Sequence, residues 1–291
     1  HAPHSSAELA MHKKKVEEIR QWLEQADASL QLGLPPSPRM LVLSGPPGAA
    51  KSAALRTVAG ELGFELCEWL EGRTLRWVAP TDDWTGGDRP SADNTGYESR
   101  LSQFGHFLSS SLRTLSLSVV SAAPPAAARS GCLPAAPPPA PPVRSGLRRR
   151  LVLLEELPVS SSTGERASSL MQEQQTLLRR ALAAARFPLA LILCTDSSTG
   201  GVPRQLESIL GAAAADSHTV RHVSCNAIAD TLLSKAVRAV AAAEAMPLPP
   251  ELLAHIVRGA NGDLRHAINK LQFVLTGTKR GPAGGKAGRA G

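Results

Sequence analysis

The 291-residue sequence is poor in aromatic side chains: Phe, Trp and Tyr together make up 3% of it, and there is one Tyr. Any core must therefore be built from Leu, Val, Ile and Ala, whose burial stabilises in proportion to the apolar area removed from water. Cysteine is also scarce. Cys67, Cys132, Cys194 and Cys225 lie far apart and form no CxxC pair, which argues against a zinc site and for a reducing compartment such as cytosol or nucleus. No apolar run approaches 18 residues, the longest being Leu151–Leu154 and Leu189–Cys194, so a conventional membrane helix is excluded. The eight histidines are scattered without metal-ligand spacing, and no Ser/His/Asp nucleophile set is evident. The chain opens at His1 without Met and without a basic-then-apolar leader, and so reads as a piece of a longer protein.

What is present is ordinary for a globular chain, with 43% apolar and 20% charged residues. The length allows one large domain or two modest ones. Lys and Arg outnumber Asp and Glu by 32 to 25, a net charge of +7. That balance fits a nucleic-acid partner without requiring one.

Hydrophobic periodicity predicts a helix over Glu8–Ala26, carrying the Lys13–Lys15 run, and Leu32–Pro38 breaks it. That run is either a solvated helix face or a contact with DNA phosphate or a nucleotide base. Met40–Ser44 reads as a short buried strand, Lys51–Leu62 as a helix stopped by Gly63, Phe64–Trp69 as a strand and Glu98–Leu117 as a helix. Ser118–Val143 is rich in Ala, Pro and Ser and buries too little apolar surface to offset its ordering entropy, so it reads as a disordered insertion. Leu151–Glu155 and Pro188–Thr195 read as buried strands around a helix at Arg166–Arg186, with a last short strand near Thr219–Val223. Such alternation predicts an α/β fold, a parallel sheet covered by helices on both faces. Helices alone follow, at Asn226–Ala245, Pro249–Arg258 and Asp263–Thr276, before a Gly-rich basic end.

Four places carry chemistry. Gly45, Pro46, Pro47, Gly48, Ala49, Ala50, Lys51 and Ser52 match the phosphate-loop pattern G-x-x-x-x-G-K-[ST] between a predicted strand and a predicted helix, except that Ala50 replaces the second glycine. Backbone N–H groups there would wrap phosphates, Lys51 would reach the β- and γ-phosphates of ATP, and Ser52 would ligate Mg²⁺. If position 50 needs a positive φ, its Cβ costs about 1–3 kcal/mol. Leu151–Glu156 has the form of a Walker B strand: Glu155 would hold Mg²⁺, directly or through water, and Glu156 would polarise the attacking water. The more usual pair is Asp then Glu. At the end of the Leu191–Cys194 strand, Thr195, Asp196 and Ser197 are candidates to face that water, with Asp196 favoured. Gly262–Asn269 opens a helix, and Arg265 sits early enough on it to point toward a nucleotide bound elsewhere.

Together these motifs resemble an AAA+ ATPase of the clamp-loader branch. Glu8–Leu23, Glu155–Pro158 and Gly262–Phe273 resemble more narrowly the DNA-damage checkpoint clamp-loader large subunit, the Rad-seventeen family. The resemblance implies a P-loop AAA+ domain over 1–224 interrupted near 118–143, a small helical lid domain at 225–276 and a flexible basic tail at 277–291. It implies a nuclear, ATP-binding subunit that assembles with small replication factor C subunits and loads a heterotrimeric checkpoint sliding clamp onto DNA. Asp196 then falls near sensor one and Arg265 onto sensor two. The Ser-Arg-Cys arginine finger of the family's small subunits has no counterpart in Pro203–Leu210. Ala50 and Glu155 weaken the step from ATP binding to turnover. Two readings therefore stand beside the first: a degenerate AAA+ scaffold without turnover, and a replication factor C large-subunit-type loader of the replication clamp.

Overall fold

The computed structural model describes residues 1–70, 99–113, 149–159, 165–195, 202–211 and 218–279. Five strands, β1 (Met40–Gly45), β2 (Glu65–Trp69), β3 (Arg150–Leu154), β4 (Leu189–Cys194) and β5 (Val220–Ser224), form one parallel sheet in the order β2-β3-β4-β1-β5. Parallel pairing needs a crossover between strands, and the crossovers cover both faces with helices. This is why β1, β3 and β4 read as continuous apolar runs.

The strand period of two sorts those runs into two cores. Leu41, Leu43, Leu151, Leu153, Ala190 and Ile192 pack with α1 (Lys13–Gln31) and α2 (Lys51–Glu61). Met40, Val42, Val152, Leu154, Leu189 and Leu191 pack on the other face with α3 (Arg100–Arg113), α4 (Glu165–Ala183) and α5 (Val202–Leu210). Trp22 is fully buried and its indole N–H donates to the Pro38 carbonyl at 3.1 Å, which removes the penalty for burying that polar group.

A third core belongs to α6 (Asp230–Ala243), α7 (Pro250–Ala260) and α8 (Leu264–Lys279), around Leu233, Val237, Ile256, Val257, Ala267 and Leu271. Ala10 of the N-terminal segment is buried in this third core, and Ala50 of the loop after β1 packs against it.

Several predicted boundaries move for identifiable reasons. The first helix does not start at Glu8. Ser6–Glu8 is a single 3-10 turn, and α1 begins after His12, whose Nδ1 accepts the Lys14 N–H at 3.2 Å. Leu9 and Met11 are buried in the sheet's first core while Ala10 enters the third. Apolar residues of an extended bridge thus imitate a helical stripe. At its other end α1 runs past Ala26 to Gln31, closed by the Leu34 N–H on the Ser29 carbonyl at 2.9 Å. The α6 helix starts at Asp230 and not Asn226, because Ile228 donates its N–H to the Gly262 carbonyl at 3.1 Å and cannot join a helix ladder. The final helix continues to Lys279, past the predicted start of the tail at 277. The predicted insertion at 118–143, Asp196 and Ser197 lie outside the described residues.

Candidate functional site

The loop Gly45–Ala50 leaves the carboxyl end of β1 and feeds directly into α2, so it sits where open α/β sheets receive ligands. Two glycines are required by packing. A Cβ on Gly45 would overlap the Cys225 carbonyl, and one on Gly48 would overlap the Asp263 carboxylate. Gly48 also has φ +69°, in the left-handed region. Ala50 is left-handed too, with φ 59° and ψ 20°, as the N-cap of α2. The condition set on this position by the sequence therefore holds, and the residue carries the strain that a glycine would avoid.

Lys51 is buried, at 4% exposure, in the first turn of α2. A buried ammonium must be hydrogen-bonded, and its Nζ donates to the carbonyls of Gly45 at 2.9 Å and Pro46 at 2.6 Å. The Gly45 carbonyl also accepts the Thr195 N–H at 3.1 Å, which ties the end of β4 to the loop. Ser52 follows Lys51, half-buried. Nitrogen donors aligned at a helix start, with a lysine among them, make an anion site. The loop's chemistry and its close-packed Gly45 and Gly48 fit a nucleoside triphosphate, and Ser52 fits a magnesium ligand.

The other predicted residues approach from different elements. Glu155 and Glu156 follow β3, one strand removed from β1. Glu156 is exposed and has no hydrogen bond or ion pair among the described residues. Glu155 is half-buried and lies 2.9 Å from Nη2 of Arg56 on α2. Arg56 in turn holds Glu68 of β2 through Nε at 2.7 Å. The Glu68 hydrogen bond keeps the guanidinium above its ordinary basicity against the opposing effect of burial, and the Glu155 charge adds to it. Arg265 is exposed in the first turn of α8. Its helix start is pinned to the loop, since the Leu264 N–H donates to the Gly48 carbonyl at 3.2 Å. Asp263 caps that helix by accepting the His266 N–H at 2.9 Å.

Beside the loop opens a cavity of about 430 Å³, within the range of ligand sites. Ala10, Met11 and His12 line one side, Cys225–Ala229 another, with Lys14 and Lys15 at its edge. Lys15 is ion-paired with Glu18 at 3.1 Å. Burial raises the Cys225 thiol pKa despite the Lys51 and Lys15 charges, so the wall it forms is neutral. These lining residues, apart from the lysines, were not legible as a site. They carry no motif, and Asn226–Ala229 looked like the start of a helix. Arg56 and Glu68 did leave a signal, as charged residues inside an apolar helix run and an otherwise half-buried strand.

Comparison with known proteins matches residues 1–121 to the Rad17 P-loop domain. Checkpoint protein rad17 of Schizosaccharomyces pombe is 39% identical over 74 residues, covering 25% of this chain and 11% of that protein. Cell cycle checkpoint protein RAD17 of Homo sapiens is 32% identical over 111 residues, 36% of this chain and 15% of its own length. The replication factor C large subunit of Thermococcus kodakarensis is 38% identical over 66 residues, 23% of this chain and 12% of that subunit. The chain thus spans a small fraction of the relatives it matches. The family match contains the loop, Arg56 and Glu68, and stops before β3 and α8.

Proposed function

From a chain whose residues 1–121 match the Rad17 P-loop domain, we propose an ATP-binding module of a checkpoint clamp-loader large subunit of the Rad17, replication factor C-like family. The observation that carries this reading is Lys51, buried with its ammonium on the Gly45 and Pro46 carbonyls at the end of β1. Those bonds satisfy the charge internally and are exchangeable for phosphate oxygens of like geometry. The loop N–H groups would hold the α- and β-phosphates, and the cavity beside Cys225–Ala229 would take the base. Mg²⁺, held by Ser52 and Glu155, would neutralise charge on the β- and γ-phosphates. Glu156 would orient the attacking water, with Asp196 and Arg265 as the remaining polar groups around it. In the full protein the partners would be small replication factor C subunits, the heterotrimeric checkpoint clamp and DNA, in the nucleus.

Fluorescent-ATP titration in Mg²⁺ tests the loop. Lys51→Ala removes a charge-assisted bond of about 1.5–3 kcal/mol and is expected to weaken binding roughly 10- to 100-fold. Equal affinity in the two proteins rejects the reading. Clamp specificity is tested separately, by co-purifying the full-length protein with small replication factor C subunits and either sliding clamp. Preference for the homotrimeric replication clamp would favour a replication factor C large-subunit role, the role named for the Thermococcus kodakarensis relative.

Two observations favour a second reading, a scaffold that binds nucleotide with little or no turnover. Ala50 is strained where a glycine would be relaxed, and Glu155 faces Arg56. If Glu156→Gln leaves clamp loading intact, turnover at this subunit is dispensable.

A further inference from the structure

Arg56 lies five residues beyond Lys51 and stands between two carboxylates, Glu68 of β2 and Glu155 just past the end of β3. It grips Glu68 at two points, Nε to Oε1 at 2.7 Å and Nη2 to Oε2 at 3.2 Å. The contact with Glu155 is of another kind. Nη2 and Glu155 Oε1 are 2.9 Å apart, close enough for strong attraction, yet that oxygen is buried and has no hydrogen-bond partner of acceptable geometry among the described residues. A buried carboxylate oxygen whose lone pairs are unused is costly unless another donor or a cation meets it.

We propose that Arg56 competes with magnesium for Glu155: it holds Glu155 through a single contact, mainly by charge, and Glu155 exchanges between Arg56 and nucleotide-bound Mg²⁺ while Arg56 stays anchored on Glu68. The proposal rests on the nucleotide reading of the loop. Its physical basis is the inequality of the two contacts. A two-point guanidinium–carboxylate fork is directional and strong, whereas a misaligned pair with both side chains about a third exposed or more is weak. Glu155 is therefore the carboxylate that yields. One guanidinium against two carboxylates leaves a net negative charge, so a divalent cation is still attracted to the cluster. A longer Glu at the first acidic position has the reach for such an exchange.

The consequence is a pair of substitutions with opposite signs. Arg56→Gln removes the competitor for Glu155 and is expected to lower the free Mg²⁺ needed for half-maximal fluorescent-ATP binding about 3-fold. Glu68→Gln releases the fork, leaves Arg56 to Glu155 alone, and raises the half-point by about the same factor. Arg56→Lys keeps the charge without the fork and is expected at or above the unmodified protein. A purely structural role for Arg56 would move the glutamine variants in the same direction. The measurement is a Mg²⁺ titration on the whole chain at fixed fluorescent ATP, with circular dichroism confirming the fold. Glu68→Gln and Arg56→Lys keep the proposal testable if Arg56→Gln fails to fold. An unchanged half-point in Arg56→Gln, or shifts of the same sign in the two glutamine variants, overturns the exchange while leaving the loop reading intact. Absence of ATP binding by the unmodified chain at every Mg²⁺ concentration overturns both together.

Discussion

Ala50 is an ordinary residue in an extraordinary place. Its left-handed backbone sets a Cβ against the neighbouring carbonyl at a cost of about 1–2 kcal/mol. The conformation persists because its surroundings specify it: the Ala50 carbonyl accepts the Ala54 N–H at 2.9 Å, and its methyl packs against the third core. Replacing it with Gly relieves the strain but forfeits that packing and adds unfolded-state entropy. The expected net gain is about 0.5 kcal/mol in urea unfolding, and a loss of stability would refute the strain assignment. His222 offers a second test at this scale. Its side chain is partly exposed; its Nε2 lies 2.6 Å from Ser44 Oγ, and partial burial, with Lys15 second, holds its pKa below the ordinary 6.5. The unfolded chain then takes up a proton that the folded chain resists. Stability rises with pH from the folded value to about 6.5 and is fully present above it. The melting-temperature advantage over His222→Gln should therefore shrink as pH falls below 6.5; a constant difference would exclude the linkage.

The phosphate loop and the start of α8 act as one element. Gly48 meets the Asp263 carboxylate, and its carbonyl accepts the Leu264 N–H. Gly48→Ala must displace that helix start as well as strain the loop, and is expected to cost more than 2 kcal/mol in denaturant unfolding. Asp263→Ala alone loses a cap worth about 1 kcal/mol. Combined with Gly48→Ala it should cost less than the sum, since it removes the obstacle. Additive losses would show that the two residues do not interact. The loop itself was legible because its pattern is contiguous and its strand–helix setting is visible in apolar periodicity. Its partner was not. Asp263 read as a favourable first-turn acid, and nothing local says that a helix more than 200 residues away closes on Gly48.

At the scale of the molecule, two of the three cores reach this loop, the first through Ala49 and the third through Ala50. The first and second lie on the faces of the sheet, and the third also touches the N-terminal segment through Ala10. A nucleotide seated here would contact the first and third at once and bind only when they are assembled. At a ligand concentration of 100 times Kd, the folded state should gain about 2.7 kcal/mol. Thermal melts with and without ATP and Mg²⁺ check this, and Lys51→Ala should cut the gain to about 0.4–1.4 kcal/mol at the same ligand concentration. An undiminished shift in that variant would place the nucleotide elsewhere.

Strand runs, the phosphate loop and the acidic end of β3 were determined by the sequence alone, because each depends on residues adjacent in the chain or repeating at a fixed period. Helix starts at Lys13 and Asp230 were decided by tertiary structure, since buried residues of an extended bridge share the composition of a helix face. The loop shows the division most clearly. Gly45–Ser52 announces phosphate chemistry in one dimension. Whether Ala50 is strained, what closes on Gly48 and which cation faces Glu155 depend on β5, α8 and α2 arriving from distant parts of the chain, and only the packed fold sets those distances.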